Sequence, residues 1–191
     1  MTATASPPAP ASGAPSGAGG AADAPIRPTA RFLRAHPAHA LALGFGAGLS
    51  PVAPGTAGTL WAWLAFLALQ LWLTPRQMGW LIAAALPVGW WACTVTARRL
   101  RSLDPSNVVW DEVAAFWIVL WLVTPAGFGT QLAAFLLFRF FDAVKPGPVG
   151  WADRRFHGFG PRGGFGIMLD DLVAAGCTLL ALAGWRFAFP G

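Results

Sequence analysis

The sequence predicts an all-α, multipass helical membrane protein, and three observations carry this prediction. Only 11% of the 191 residues are charged, against about 25% in ordinary soluble domains. The hydrophobic fraction is 55% and the mean hydropathy is +0.54. Long apolar segments alternate with turns and basic clusters, which is the pattern of helices that enter or cross a bilayer. A soluble domain of this size needs far more charged surface, so the membrane is the expected solvent.

The N-terminal part differs in composition from the rest of the chain. Residues 1–30 are almost entirely Ala, Pro, Gly, Ser and Thr, and such a segment cannot bury enough apolar surface to offset its ordering entropy. We therefore expect a disordered tail over 1–30 and one membrane-embedded helical domain over 31–191. The domain is expected to begin with a short interfacial helix over 31–42.

Five apolar segments follow, at 58–73, 77–97, 113–123, 131–141 and 167–185. A Gly/Pro-rich loop over 44–59 leads into the first of them. The second is long enough to cross a hydrocarbon core of about 30 Å. The third and fourth are short, which predicts either two tilted helices or a re-entrant hairpin covered by protein. A polar, glycine-rich segment over 142–166 precedes the last span.

Lysine and arginine predict the orientation, because they are enriched in cytoplasmic loops. With the N-terminus in the cytoplasm and the two short segments as a down-and-back pair, nearly all basic residues share one side. The cytoplasmic set is Arg27, Arg31, Arg34, Arg98, Arg99, Arg101, Arg139, Lys145, Arg154, Arg155 and Arg162. Only Arg76 and Arg186 fall outside. The net charge of +5 then faces anionic lipid headgroups, and no soluble basic face is left for nucleic acid.

The same topology gathers the acidic side chains on the cytoplasmic side. Those at the ends of apolar segments are Asp111, Glu112, Asp142, Asp170 and Asp171. A carboxylate at membrane depth costs about 3 kcal/mol and by default marks a functional site. One acid such as Asp111 is also explained as a helix cap, whereas two adjacent acids at 170–171 call for a cation. Clustered carboxylates favour Mg²⁺, and no Cys/His cluster offers zinc a site.

Basic and hydroxyl side chains near these acids are candidate phosphate ligands. The basic candidates are Arg139, Lys145, Arg154 and Arg155. Arginine binds phosphate oxygens in pairs, and lysine acts as a point charge, although part of this set is also explained as a positive-inside flank. Arg139 interrupts an apolar run and can pair with Asp142 on one helix face. Thr56 and Thr59 lie where a helix begins, and free backbone N–H groups at such a position can receive an anion.

Four ordered motifs together resemble the phosphatidylglycerophosphatase A family. They are GFGAGLSPVAPGTAGT at 44–59, VVWDE at 108–112, FRFFDAVKPGPVGWADRR at 138–155 and GGFGIMLDDLVAAG at 163–176. The resemblance covers about residues 39–185. It departs from the family pattern at Gly147, where a bulky residue is usual, and in a longer link between Arg155 and Gly163.

The resemblance implies a multipass, Mg²⁺-dependent phosphatase of the bacterial inner membrane. Its substrate would be phosphatidylglycerophosphate, hydrolysed on the cytoplasmic side to phosphatidylglycerol during phospholipid biosynthesis. Metal-binding or catalytic roles are implied for the acids already selected, Asp111, Glu112, Asp142, Asp170 and Asp171.

The expected chemistry is metal-assisted hydrolysis with one unligated acid as the general base. A carboxylate nucleophile that forms an acyl phosphate is an open alternative. Two other functions are also open: another membrane lipid-phosphate phosphatase, and a small ion-coupled transporter. Against a transporter, the acids lie at one predicted face instead of the midplane, and the sequence has no internal repeat.

Overall fold

The computed structural model describes residues 26–102, 106–155 and 161–189, with the side chains of 153–155 and 161 left out. Within these residues the chain forms helices and no strand, which confirms the all-α prediction. The helices are α1 (Ala30–Ala35), α2 (Pro37–Ala42), α3 (Pro54–Gln70), α4 (Pro75–Leu100), α5 (Trp110–Val123), α6 (Phe128–Val144), α7 (Pro148–Arg155) and α8 (Pro161–Ala188). A 3-10 helix, Gly44–Leu49, lies between α2 and α3. The first 25 residues, most of the expected disordered tail, lie outside the described part.

The expected interfacial helix over 31–42 is two helices instead of one. His36 is extended, with φ −157° and ψ 140°, and separates α1 from α2. The residue before a proline is disfavoured in helical conformation, so Pro37 ends α1 and begins α2. The His36 ring then accepts a hydrogen bond from the Ala38 backbone N–H at 3.1 Å, which caps α2.

Two segments expected to be irregular are partly helical. The loop over 44–59 ends early, because α3 begins at Pro54, a favourable first helical position for proline. The polar segment over 142–166 contains α7 and the first turns of α8. Its glycines permit close helix packing: a Cβ at Gly164 would lie 1.9 Å from the Thr94 hydroxyl oxygen of α4.

Helix α5 is the core of the fold. It is apolar on all sides after its first turn, a pattern typical of a fully buried helix, and it packs against α3, α4, α6 and α8. Three tryptophans of α5 donate hydrogen bonds to backbone carbonyls of neighbouring helices, and two of them, Trp110 and Trp117, are buried. Trp117 donates to Ala62 of α3 at 2.8 Å, and Trp110 donates to Ala85 of α4 at 3.2 Å. Their polar N–H groups are therefore satisfied inside the core.

Helices α5 and α6 form an antiparallel pair, as the down-and-back prediction required. Phe116 in the middle of α5 packs on Phe135 and Phe138 in α6, at ring distances of 5.9 and 5.4 Å. Glu112, one turn earlier in α5, contacts Arg139, which lies further along α6. At 1.5 Å per residue the two helices are about 21 and 26 Å long, shorter than a hydrocarbon core of about 30 Å. The pair places the first turn of α5 beside the last turn of α6, where the predicted acids lie.

The outer surface of the helices is strongly apolar. Two helical stretches, α4 and the Arg162–Ala188 part of α8, are long and apolar enough to cross a membrane. Large apolar side chains, among them Trp80, Leu136 and Leu180, are exposed on α4, α6 and α8. Extended apolar surface of this kind marks a membrane or protein interaction face, and together these features indicate membrane association.

Candidate active site

A cleft of about 320 Å³ lies where α5 begins, α6 ends and the first half of α8 passes. The start of α3 forms part of its rim. All five acids selected from the sequence line this cleft: Asp111, Glu112, Asp142, Asp170 and Asp171. Three separate helices therefore bring to one place carboxylates that are far apart in the sequence.

Three of these acids are close enough to share one cation. Carboxylate oxygens of Asp142, Asp170 and Asp171 all lie within 4.8 Å of one another. Asp170 and Asp171 are only 7% and 3% exposed. Three converging carboxylates supply the oxygen ligands that Mg²⁺ prefers.

Two basic side chains that line the cleft pair with the acids. Arg139 Nη1 lies 3.3 Å from Glu112 Oε1 and also donates to Asp142, its i+3 neighbour on α6. Lys145 Nζ donates to Asp170 Oδ2 at 2.6 Å. Lys145 is the C-cap of α6 in the left-handed region, with φ 48°, so the chain turns sharply at this residue. Five acids against two bases leave the cleft with excess negative charge.

Asp111 and Glu112 lie outside the two candidate membrane spans. Their raised pKa values agree with an excess of acidic groups in the cleft. Burial, followed by the neighbouring charge of Asp142, raises the pKa of Glu112 to about 8. Burial and the charge of Glu112 raise the pKa of Asp111 well above its usual value. Glu112 Oε2 is buried and accepts no hydrogen bond from the described residues. Such an oxygen is costly unless a cation or a proton donor compensates it.

The N-terminus of α3 is fitted closely against this network. Its N-cap residue, Ala53, is left-handed with φ 46° and provides no side-chain cap, so the first N–H groups of α3 are available to another acceptor. Gly55 follows in the first turn and lines the cleft. A Cβ at Gly55 would lie 2.1 Å from Glu112 Oε1 and 3.1 Å from Arg139 Nη2. Any side chain at 55 would therefore displace the Glu112 carboxylate, a close fit that the sequence alone did not reveal.

The other four predicted phosphate ligands are Thr56, Thr59, Arg154 and Arg155, and the structure describes the side-chain environments of the first two. Thr56 is exposed. Thr59 is fully buried, donates to the Gly55 carbonyl at 2.9 Å and lies 3.5 Å from Arg139 Nη1. Its position suits orienting Arg139 better than touching a substrate. The side chains of Arg154 and Arg155 lie outside the described part. Direct phosphate binding by these four residues stays a prediction.

We expect Gly55→Ala to lower phosphate release about a hundredfold, because a displacement of about 1 Å in a catalytic network costs that much. The added methyl group displaces Glu112 and Arg139 from each other. Gly176→Ala is the matched control, since a Cβ there meets nothing within 4 Å. Activity of Gly55→Ala equal to that of Gly176→Ala would show that the Glu112–Arg139 geometry is unimportant.

Fold and cleft together define a helical protein with an apolar outer surface and a cleft rich in buried carboxylates. Comparison with known families makes this class specific. The sequence model of phosphatidylglycerophosphatase A matches residues 40–186, nearly the span over which the four motifs resemble that family. The chain belongs to the phosphatidylglycerophosphatase A family, and it is a phosphatase.

Relatives from other bacteria align with most of the chain. Phosphatidylglycerophosphatase A of Escherichia coli (strain K12) is 38% identical over 149 residues, 75% of this chain and 80% of the relative. The Haemophilus influenzae protein of the same name is 36% identical, over 78% of this chain and 88% of the relative. A putative phosphatidylinositol-3-phosphatase of Bacteroides thetaiotaomicron is 41% identical, over 74% of this chain and 90% of the relative. No solved structure is significantly similar to the chain.

Proposed function

We propose that this chain hydrolyses the terminal phosphate of phosphatidylglycerophosphate to give phosphatidylglycerol, as a step of phospholipid biosynthesis. The observation that carries the proposal is the cleft in which Asp142, Asp170 and Asp171 converge beside Arg139 and Lys145. Carboxylates that suit a divalent cation and bases that suit phosphate are the two halves of a phosphatase site. Two relatives that span most of the chain carry the name of this activity.

The proposal includes a location. We assign the enzyme to the bacterial inner membrane as a multipass protein with its cleft facing the cytoplasm. The uneven distribution of basic residues supports this orientation, since only Arg76 and Arg186 fall on the other side. The five site acids lie in the first turn of α5, near the end of α6 and in the first half of α8, and they line one cleft, as expected for this orientation.

Magnesium fits the donor set of the cleft. The fit rests on the converging oxygens of Asp142, Asp170 and Asp171, the excess of acids over bases, and the buried Glu112 Oε2 that accepts no hydrogen bond from the described residues. The three aspartates would hold the ion. When bound, Mg²⁺ supplies positive charge at the phosphate oxygens and makes bound water more acidic.

The chain's own residues then have distinct roles. Arg139, held by Glu112 and Asp142 and adjacent to Thr59, presents its guanidinium group at the cleft for the phosphate oxygens. The uncapped first turn of α3 adds N–H groups suited to the same anion. We assign Glu112 as the general base, because Oε2 is the oxygen free to accept a proton from the attacking water. Burial and the charge of Asp142 raise the pKa of Glu112, which makes this carboxylate a stronger base than an exposed one.

A second candidate substrate follows from the Bacteroides relative, whose name specifies a phosphatidylinositol 3-phosphate. Both lipids are phosphomonoesters on a polar headgroup, so the same acids and bases serve either one. The headgroup must then be selected at the rim of the cleft, which includes Ala53, Pro54 and Ser106.

The test is phosphate release by the detergent-purified protein from three lipids, each with Mg²⁺ and with EDTA. The lipids are phosphatidylglycerophosphate, phosphatidylinositol 3-phosphate and phosphatidic acid. We expect EDTA to abolish release, restored Mg²⁺ to recover it, and phosphatidylglycerophosphate to be preferred. A preference for phosphatidylinositol 3-phosphate would favour the second candidate. Release that persists in EDTA would contradict the metal site, and no release from any lipid by folded protein would overturn the proposed function.

A further inference from the structure

A second cavity lies at the opposite end of the helices from the acid cleft. Its volume is about 500 Å³. It opens to the surface and is bounded by the end of α5, the start of α6 and the end of α8. Leu182 on its wall is eleven residues beyond Asp171 on the same helix, or about 16 Å along the axis. The cavity is therefore separate from the catalytic cleft.

Small residues create this space. Gly129, Ala133 and Ala183 line it where larger side chains would fill it, and a Cβ added at Gly129 meets nothing within 4 Å. Helix interfaces are normally packed to high density with few voids. A cavity of this volume, mainly apolar with few polar groups, has the size and lining of a ligand pocket.

The charge at this cavity is of one sign. Arg186 is the charged residue among those that line it, whereas the acid side chains that the structure describes gather at the cleft. Arg186 is exposed near the end of α8, next to the exposed Trp185. Tryptophan beside arginine at the end of an apolar span is typical of the membrane–water interface. The pocket thus joins an apolar interior to a cation at headgroup level.

We propose that this cavity binds one phospholipid from the opposite leaflet, with an acyl chain between α6 and α8 and the lipid phosphate at Arg186. The proposal rests on the membrane location within the proposed function, but not on the reaction. The occupant is an anionic phospholipid. The apolar walls suit an acyl chain, the arginine suits a phosphate, and the described residues that line the cavity include no acid to pair with an ammonium headgroup. It is a binding site distinct from the one for substrate.

The experiment is native mass spectrometry of the full chain in mild detergent with EDTA, titrated with dioleoyl phosphatidylglycerol. Ala133→Trp fills the cavity, and we expect it to remove the tightly bound lipid. Arg186→Gln is expected to weaken binding about tenfold, the loss of one charge-assisted contact. Leu136→Trp is the control, because Leu136 is exposed on the same helix and does not line the cavity.

The outcomes separate this site from the cleft. We expect Asp171→Asn to keep the bound lipid. If Asp171→Asn loses the lipid and Ala133→Trp keeps it, the lipid occupies the catalytic cleft and the proposal is wrong. Lipid binding by Ala133→Trp equal to that of the wild type would overturn the proposal. So would a loss of bound lipid with the control Leu136→Trp as large as that with Ala133→Trp. If Ala133→Trp does not fold, Ala183→Phe fills the cavity from α8 and is judged in the same way. Phosphate release by Leu136→Trp and Ala183→Phe shows independently whether the catalytic reaction occurs.

Discussion

Asp171→Asn should reduce phosphate release at least about a hundredfold, because it removes one of three converging carboxylates from the proposed metal site. Asp171 is 3% exposed and its carboxylate lies within 4.8 Å of those of Asp142 and Asp170. The amide keeps the shape of the side chain but loses its charge. The buried cleft also carries less like-charge repulsion after the change, so the fold should be at least as stable as the wild type.

This separation of activity from stability makes the experiment decisive. Phosphate release and the thermal unfolding midpoint in detergent are measured on the same preparation, across a range of Mg²⁺ concentrations. Asp23→Asn is the matched control, because Asp23 precedes the region matched by the family. Wild-type turnover by Asp171→Asn would remove this residue from the site. Loss of activity together with a lowered unfolding midpoint would show that Asp171 stabilises the fold instead of acting in catalysis.

Arg139→Gln should abolish activity and also destabilise the fold by about 3 kcal/mol, since breaking a buried ion pair leaves its partners uncompensated. Glu112 and Asp142 both contact Arg139 and are each only 12% exposed in their side chains. Without the guanidinium group, two neighbouring carboxylates face each other with little solvent. Mg²⁺ should restore part of the lost stability, because a cation relieves the same repulsion.

The control for this variant is Arg76→Gln, at an exposed arginine in the first turn of α4. Its unfolding midpoint should equal that of the wild type. Arg139→Lys should recover stability more than activity, because lysine restores the charge without the paired donors of the guanidinium group. Unchanged stability of Arg139→Gln would show that water already screens the two acids.

Much of the site was predictable because carboxylates are rare and costly in apolar sequence. Asp170 and Asp171 inside an apolar helix, and Arg139 in a run of aromatic residues, are visible without a structure. The antiparallel pairing of the two short helices followed from the basic residues on either side of them. Family membership then confirmed the interpretation of the motifs. The roles of the individual acids stay predictions that the substitutions above test.

Other features depend on contacts between residues far apart in the chain. Glycine disfavours helix in isolation, yet Gly164 lies inside α8, where Thr94 of α4 leaves no room for a side chain. Gly55 packs against the Glu112 carboxylate, a contact between residues far apart in the chain. Thr59, a predicted phosphate ligand, contacts Arg139 and Gly55, and neither contact could be predicted from the sequence. Local propensity contains none of this information. The break between α1 and α2, by contrast, follows from local propensity alone, because Pro37 disfavours a helical conformation at His36.

Helix α5 carries both the core of the fold and two of the acids, while the rim residues Ala53 and Ser106 are exposed on the connections between helices. The exposed connections should therefore tolerate amino-acid substitutions better than helix α5 does. Headgroup preference can diverge between lineages through two short connections, without altering the buried helix on which both folding and chemistry depend. We expect descendants of one ancestral phosphatase to differ most in these connections, which would allow relatives of similar identity to carry the names of different lipid phosphates.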